Sequence, residues 1–367
     1  LLANQGVSDW VCALSAVASS NSGYMFIGMI GYTYVMGISS MWALIGWIVG
    51  DFLMSFLIYS KIIKQTAKTK SLSFSELLGT WQDKEFKHFR QVAGLIIVLF
   101  LGVYAAAQLN AGSKALFVML GLPEYMGAVI GAVIVIVYCF SGGMRASLWT
   151  DVAQSMVMFV AMGLLCVLAV TNIGGLDAFS FKLQGVSDTY TNLFPPGLKW
   201  GALGPFLFGM GWFFAGLAVI GQPHIMSRFM TLRPDSKMWK VRLYYYSWYV
   251  SFSILTVMVG LCARLLLPES GSFDAELALP LLALNLFPAV LVGLILAGIF
   301  SAAISTADSQ IISCIASLSR DVLGFKDKAL KQTKALTLLL TAFILVIALF
   351  APGNVFSLVI VAWSGLA

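Results

Sequence analysis

Four small residues share one face of a helix deep inside an apolar stretch of this sequence. Ala302, Ser305, Thr306 and Ser309 are spaced i, i+3, i+4 and i+7, which places them on the same side of an α-helix. Hydroxyl oxygens, together with backbone carbonyls freed by a broken helix, suit a hard cation such as Na+ and bury little formal charge. We therefore expect a sodium site on this face. The alternative is that each hydroxyl bonds back to a carbonyl of its own helix.

Two carboxyl groups, Asp151 and Asp308, also lie in apolar segments. A carboxylate at the bilayer centre costs about 2.5–3.5 kcal/mol on insertion scales, so such residues usually mark a path for an ion or a proton. Asp151 has a structural alternative, an ion pair with Arg145 near the end of its segment. Asp51 is a weaker candidate that either pairs with a neighbouring helix or lines the cavity.

Tyr104 and Gln108 are four residues apart, so they share a helix face and either hydrogen-bond a solute or join two helices. The sequence shows no recognisable arrangement of catalytic residues. The two histidines, His88 and His224, lie in different regions, and the sequence has neither a phosphate-binding loop nor a zinc-ligand spacing. We therefore predict neither an enzyme nor an ATP-driven pump.

The elements that position these residues must be membrane-spanning helices. The 367 residues are 60% hydrophobic and 10% charged, with a mean hydropathy of +0.92, whereas soluble domains have about 25% charged residues. This predicts an all-α integral membrane protein with the lipid bilayer as its solvent. Ten apolar segments can be drawn, at roughly 8–35, 40–63, 89–119, 123–142, 147–171, 201–229, 241–267, 279–318, 334–350 and 354–367.

The eighth segment, 279–318, is too long for one straight span, so we expect it to tilt or to begin with an extracellular helix.

Basic residues alternate between the connections. The formal net charge is +6, and 18 of the 22 Lys and Arg residues, Arg228 among them, fall in the connections after segments two, four, six and eight. The positive-inside rule assigns these connections to the cytoplasm. The opposite connections are acidic or nearly neutral, as at Glu269, Asp274 and Glu276. Because the basic residues lie in short loops, no nucleic-acid partner is expected.

Segments one and six contain residues that interrupt a helix in mid-membrane. Segment one has small polar residues over 18–23, and segment six has glycines and a proline over 216–224. Two breaks five segments apart are typical of inverted-repeat transporters, with the binding site at the breaks. The alternative is close packing of small residues between helices. We expect a first five-helix repeat over 1–175, an extracellular connection over 176–199, and a second repeat over 200–367 with its last helix truncated. Further flanking helices are expected beyond both ends.

Four sets of short stretches carry a family resemblance. They are Trp10-Val11-Cys12-Ala13-Leu14-Ser15-Ala16; Ser141-Gly142-Gly143-Met144-Arg145 with Trp149-Thr150-Asp151; Gly221-Gln222-Pro223-His224-Ile225 with Arg228-Phe229; and Ser305-Thr306 with Ser309-Gln310. Together they resemble the sodium/solute symporter family, and within it the sodium/proline symporter branch. The resemblance runs along nearly the whole chain. It implies the leucine-transporter fold, a five-plus-five inverted repeat of transmembrane helices.

The resemblance also implies site residues. The principal sodium site would take the backbone carbonyls of Ala18, Asn21 and Ala302 and the hydroxyls of Ser305 and Thr306. Some members bind a second sodium, and here that site, or a proton site in its place, would use Asp151, Asp308 and Ser309 together with Ser305 and Thr306. The solute would lie against Ser20, Ser22 and Gly23 of helix one, Tyr104 and Gln108 of helix three, and helix six before Gln222.

Two departures from the family pattern concern the solute. Proline transporters look to have an acidic residue where this chain has Ser20, and a Trp and a Tyr where it has Ala215 and Val219. Proline is therefore one candidate among several small polar solutes.

These observations predict a sodium-coupled secondary active symporter of the cell membrane. We expect it to import a small polar organic solute, such as an amino acid or a carboxylate, by alternating access, and to act as a monomer. The alternatives are a transporter-like sensor domain of a larger signalling protein, a proton-coupled carrier that uses Asp151 or Asp308, and a channel.

Overall fold

A computed structural model of the chain describes residues 5–82, 84–141, 143–268, 271–325, 330–350 and 354–367. Gly142, which belongs to a family stretch, and the charged residues Glu269, Lys326 and Lys328 lie outside these ranges. The described residues are mostly helical, with one two-stranded hairpin of β1 (Thr80–Trp81) and β2 (Lys84–Glu85). Each of the ten predicted segments contains a helix.

The first half of the chain contains nine helices among the described residues. Segment one holds α1 and α2, joined through a π-helical turn at Tyr24–Gly28, and segment two holds α3 and α4, joined by a π-helical turn at Ser55–Tyr59. The helices are α1 Asp9–Ser20, α2 Met29–Met36, α3 Met41–Met54, α4 Ser60–Thr69, α5 Phe74–Leu78, α6 Lys87–Leu120, α7 Glu124–Ser141, α8 Gly143–Ile173 and α9 Gly175–Gln184.

The second half repeats the broken first segment. Segment six holds α10 and α11, separated by a 3-10 turn at Ala218–Gly221. Segment eight begins with a separate short helix, α13, in keeping with the second of the two alternatives predicted for it. Pro288 lies between α13 and α14 and acts as the N-cap of α14. The helices are α10 Leu203–Leu217, α11 Pro223–Phe229, α12 Met238–Leu266, α13 Ala278–Leu286, α14 Ala289–Ala316, α15 Leu330–Phe350 and α16 Val355–Gly365.

Seven helical stretches in the described residues are long and apolar enough to cross a membrane. Side chains on their outer faces, such as Leu99, Val167 and Phe343, are apolar and exposed in the protein alone, as expected for contact with lipid. Helix α14 lies inside, packed against α1, α6, α7, α8 and α11, and α1 also packs against α8, α11 and α12. The helices that carry the hydroxyl face, Asp151 and the two breaks are therefore neighbours.

Arg228, a basic residue of the charge count, lies in the protein interior. Arg228 belongs to α11 and has no exposed surface, so it contributes nothing to a cytoplasmic loop. The charge count included it because it stands at the end of segment six, next to the basic connection that follows. However, Pro223 starts a new helix, and this helix turns Arg228 towards the interior. The other basic residues between segments six and seven follow α11, and the alternation of charge is preserved.

Glu276 fixes the start of α16. Its carboxylate accepts hydrogen bonds from the backbone N–H groups of Val355 (2.9 Å) and Phe356 (2.8 Å), which lack partners in the first turn of a helix. It also pairs with Lys114 near the end of α6 (2.6 Å), and Lys114 pairs with Asp274 (2.5 Å). The acidic connection before α13 is thereby joined to two other helices.

The crossing of α3 and α10 depends on glycines. Gly46 and Gly50 are spaced i, i+4 on α3, and a Cβ at Gly46 would lie 2.6 Å from the backbone carbonyl carbon of Trp212. A Cβ at Gly50 would meet the carbonyl oxygen of Phe213. Small residues at this spacing allow transmembrane helices to approach closely.

Replacing Gly50 with valine should therefore separate α3 from α10 and destabilise the protein by about 1–3 kcal/mol, the usual range for overpacking. The measurement is thermal unfolding of the purified protein in detergent. Gly163→Val is the matched control, because a Cβ at Gly163 of α8 has no neighbour within 4 Å. Equal melting temperatures for the two variants would contradict the close crossing.

Candidate functional site

Helix one is interrupted at 21–23, at the end of the range predicted for its break. Helix α1 continues through Ser20, and Asn21 leaves the helical conformation with φ −89° and ψ 72°. The backbone N–H and side-chain amide of Asn21 both donate to the carbonyl of Val17, at 2.8 and 3.1 Å. The backbone N–H of Tyr24 then bonds to the hydroxyl of Ser22 (3.1 Å). Ala18 and Ser19 thus lie in the last helical turn, whose carbonyls lack intrahelical partners.

The second break lies at Gln222. Its backbone is extended, with φ −92° and ψ 99°, and Pro223 opens α11 at the position where proline is best tolerated in a helix. The Gln222 amide donates to the carbonyl of Trp363 in α16 (3.3 Å), and the Trp363 indole N–H donates to the carbonyl of Ala215 (2.8 Å). Helix α16 therefore covers the second break.

The hydroxyl face of α14 meets the end of α1. The Thr306 hydroxyl donates to the carbonyls of Ser19 (3.3 Å) and Ala18 (3.4 Å), and the Ser305 hydroxyl donates to the carbonyl of Ala302 (3.1 Å). Four of the five residues predicted for the principal sodium site are thus brought together. Asn21 follows at the break, and its side-chain oxygen is buried with no partner among the described residues.

Asp151 pairs with a residue that the sequence analysis did not consider for the site. Its Oδ2 accepts the Ser15 hydroxyl (2.6 Å) and lies 3.3 Å from Nη2 of Arg228. Asp151 and Arg228 are both fully buried. The predicted alternative of a pair with Arg145 is therefore wrong. The sequence signal for Arg228 is weak, because it is a single arginine in the otherwise uncharged stretch 223–232, next to a run of basic residues.

Arg228 also reaches the other predicted members of the second cation site. Its guanidinium donates to the hydroxyls of Ser147 (2.8 Å) and Ser309. Asp308 accepts a hydrogen bond from the thiol of Cys139 (3.2 Å) and is close enough to Arg228 for electrostatic interaction. The second site is thus assembled around an arginine side chain.

The residues predicted for solute binding surround the first break. The backbone N–H of Gly23 donates to Oε1 of Gln108 (2.9 Å), and the hydroxyls of Ser22 and Tyr104 are 3.4 Å apart. A Cβ at Gly23 would lie 2.9 Å from the side chain of Ala111, so α6 approaches this backbone closely. Ser20 lies on another side of the break, beside Tyr245 and Tyr249 of α12.

Several buried polar atoms at the two breaks have no partner among the described residues. They are Nε2 of Gln108, Oε1 of Gln222, and both ring nitrogens of His224. The His224 ring contacts the Tyr104 ring edge-on, with 5.4 Å between centroids, so the two breaks meet here. Sequence reasoning treated His224 only as part of a motif. A buried polar atom without a partner costs about 1–3 kcal/mol, so this group of donors and acceptors suits a small polar ligand.

Asp51 lies apart from these residues. It accepts a hydrogen bond from the Tyr59 hydroxyl, and Tyr245 and Tyr246 of α12 are close to it. Of its two predicted roles, pairing with a neighbouring helix fits better than lining the cavity, because Asp51 contacts the α12 side chains Tyr245 and Tyr246.

Comparison with known proteins points to one family. The sequence model of the sodium:solute symporter family matches residues 1–367. Sodium/proline symporter 2 of Staphylococcus saprophyticus and the sodium/proline symporter of Staphylococcus aureus are each 29% identical to the chain. In both cases the match covers 100% of this chain and 72% of the relative.

Two solved structures share the fold. A Na+-coupled sialic acid symporter in a substrate-bound, outward-open state has a TM-score of 0.78 at 20% identity, over 95% of this chain and 75% of its own. MhsT in complex with L-phenylalanine has a TM-score of 0.71 at 15% identity, over 98% of this chain and 86% of its own. Both have the leucine-transporter fold, which confirms the predicted fold class.

Proposed function

Because this chain belongs to the sodium:solute symporter family, we propose that it imports a small zwitterionic solute, such as proline or another amino acid, by alternating access. Sodium-coupled solute symport is the activity of the family, and the protein is a multi-pass protein of the cell membrane. The solute class, the site residues, the division into repeats at 1–175 and 200–367, and monomeric action are part of the proposal.

One observation carries the assignment of the sodium site. The Thr306 hydroxyl of α14 reaches across to the Ala18 and Ser19 carbonyls at the end of α1. Na+ held by these oxygens, by Ser305 and by the carbonyls of Ala302 and Asn21 would join α14 to the broken helix. The ion would thereby order the break in helix one, where Ser22 and Gly23 would contact the solute. Thermodynamic linkage then requires that solute and sodium raise each other's affinity by the same factor.

The charge of the surrounding side chains favours a net-neutral solute. Ser20, Ser22, Tyr104, Gln108 and Gln222 carry no formal charge at neutral pH. The Asp151–Arg228 pair, which contacts α1 through Ser15, balances its own charge. A zwitterion leaves no unpaired net charge in the membrane, whereas a simple carboxylate adds one. The relatives are sodium/proline symporters, but the departures at Ser20, Ala215 and Val219 keep other amino acids in consideration.

A thermal-shift screen tests the proposed function. The purified protein is heated with single amino acids, simple carboxylates and sugars, in NaCl and in choline chloride at equal ionic strength. We expect at least one amino acid to raise the melting temperature in NaCl and to have little effect in choline chloride, because bound ligand stabilises the folded state. Stabilisation of the same size in both salts would contradict sodium coupling. A shift that follows pH and ignores sodium would favour the proton-coupled alternative.

A further inference from the structure

We propose that a groove between α3 and α12 binds an anionic phospholipid of the cytoplasmic leaflet, with the lipid phosphate at Arg242. This inference goes beyond the proposed function, because it concerns the outer surface of the helices and not the space between the two breaks. It is carried by the shape and position of the groove and by an arginine that the protein holds without an anionic partner among the described residues.

The groove lies on the membrane-facing surface of the helices. Its volume is about 690 Å³, within the range of about 300–1,000 Å³ that is usual for ligand pockets. Phe52 and Phe56 form one wall, and side chains of α12 between Trp239 and Ser251 form the other. Trp239 follows the basic connection that the positive-inside rule assigns to the cytoplasm, and Ser251 is about 18 Å farther along the helix. The groove therefore runs from the headgroup region into the hydrocarbon, as a phospholipid does.

Arg242 is held in a fixed orientation at this groove. Its Nε donates to the hydroxyl of Ser55 (3.1 Å) and its Nη2 to the carbonyl of Ser55 (2.8 Å), and its guanidinium carbon lies 3.8 Å from the centre of the Phe56 ring. These hydrogen bonds use two of the five N–H groups of an arginine. In the described ranges the other three donate to no protein acceptor, and no carboxylate pairs with Arg242. A permanently charged group thus lines the groove without a counter-anion.

A phosphate group fits the donors that remain on Arg242. Guanidinium groups bind phosphate oxygens through two parallel N–H bonds, and such bonds are among the strongest in proteins. The mouth of the groove is also positive. The first turn of α12 has no acidic residue, and the Lys240 ammonium lies 5.6 Å from the centre of the Trp239 ring. The acid of the preceding connection, Asp235, already pairs with Arg233. Basic pockets of this kind at the cytoplasmic face suit anionic lipid headgroups.

The rest of the groove suits acyl chains better than a protein partner. Phe52, Leu243 and Val250 are apolar and exposed along it. A soluble protein does not reach into the hydrocarbon, and a second membrane helix would have to place a carboxylate beside Arg242, which is costly in lipid. Phospholipid phosphates, in contrast, are present throughout the leaflet. A bound lipid would join α3 of the first half of the chain to α12 of the second half.

Lipid titration followed by native mass spectrometry tests this inference. The purified protein in a non-ionic detergent is mixed with phosphatidylglycerol or with phosphatidylcholine of the same acyl chains. We expect phosphatidylglycerol to bind at least tenfold more tightly, because it alone has a net negative charge, and an excess of inorganic phosphate should not displace it. Arg242→Gln should lose this preference. Arg145→Gln should keep it, because Arg145 is an exposed arginine of the same membrane side that lies outside the groove.

A second variant fills the groove without removing charge. Ser247 is an exposed lining residue of α12, so Ser247→Trp should fold and should weaken phosphatidylglycerol binding at least tenfold. This variant decides the matter if Arg242→Gln does not fold. Equal affinities for the two lipids would overturn the inference, as would unchanged phosphatidylglycerol affinity in Ser247→Trp or in a folded Arg242→Gln. Displacement by inorganic phosphate would also overturn it, in favour of a simple anion site. A change from dimer to monomer in Ser247→Trp with unchanged lipid binding would instead assign the groove to a second copy of the chain.

Discussion

Replacing Ser305 and Thr306 together with alanine should weaken sodium binding by at least a hundredfold. The substitutions remove two hydroxyl oxygens from the α14 side of the proposed site, including the one that reaches the Ala18 and Ser19 carbonyls. A contact between a polar group and a charge contributes about 1.5–3 kcal/mol. Two such losses correspond to a factor of at least a hundred in affinity. The measurement is 22Na+ binding, or the sodium dependence of the melting temperature.

The matched control removes two hydroxyls from the same helix and its continuation without touching the site. Ser313 donates to the carbonyl of Ser309 (2.9 Å), and Ser319 donates to the carbonyl of Ile315 (2.6 Å), so both bond back within the helix. Ser313→Ala with Ser319→Ala should leave sodium affinity within a few-fold of wild type. If the Ser305 and Thr306 double variant behaves in the same way as this control, the site is wrongly placed.

Replacing Arg90 with methionine should destabilise the protein by about 3 kcal/mol, the lower end of the cost of breaking a buried ion pair. Arg90 lies at the start of α6, and its guanidinium pairs with Asp321 at 2.8 Å. The Asp321 side chain is fully buried and also accepts the hydroxyls of Ser73 (2.7 Å) and Ser75 (2.5 Å). These hydroxyls moderate the loss but do not neutralise the carboxylate. Thermal unfolding in detergent measures the effect.

An exposed ion pair provides the control for this change. Arg233 and Asp235 are 3.6 Å apart, with side chains 63% and 77% exposed, and such surface pairs contribute about 0–1 kcal/mol. Arg233→Met should therefore unfold at nearly the wild-type temperature. Adding Asp321→Asn to Arg90→Met should recover part of the stability, since no buried charge is then unpaired. A double variant less stable than Arg90→Met would argue against this explanation.

The features predicted best from sequence are those with a local cause. Ten apolar segments follow from composition, because a spanning helix must be apolar along its whole length. The hydroxyl face of α14 follows from helical periodicity alone. The breaks follow from residues that weaken a helix where they stand, as Pro223 does at the start of α11. A membrane transporter with an inverted repeat and a sodium site could therefore be predicted from these local features, and the family resemblance implied the leucine-transporter fold.

The features that were missed depend on contacts between distant parts of the chain. Arg228 and Asp151 are 77 residues apart, so no local pattern distinguishes Arg228 from the loop residues that follow it. The position of the first break shifted for a related reason. Ser19 and Ser20 are poor helix formers in water, but here Ser19 is held by Ser309 of α14. Tertiary contacts thus keep the first three residues of the predicted break 18–23 within α1, which ends at Ser20.

The contacts of the Glu276 carboxylate constrain how α16 can move away from the solute chamber, the space between the two helix breaks. The carboxylate holds the first turn of α16 through Val355 and Phe356, and it is itself held by Lys114 of α6. The other end of α16 provides Trp363, whose carbonyl and indole meet Gln222 and Ala215 at the second break. The N-terminal end of α16 is thus fixed by Glu276, and its C-terminal end covers the second break. If α16 swings about its N-terminal end, the chamber opens without loss of the charged contacts. If it is lifted as a whole, all of these contacts break at once.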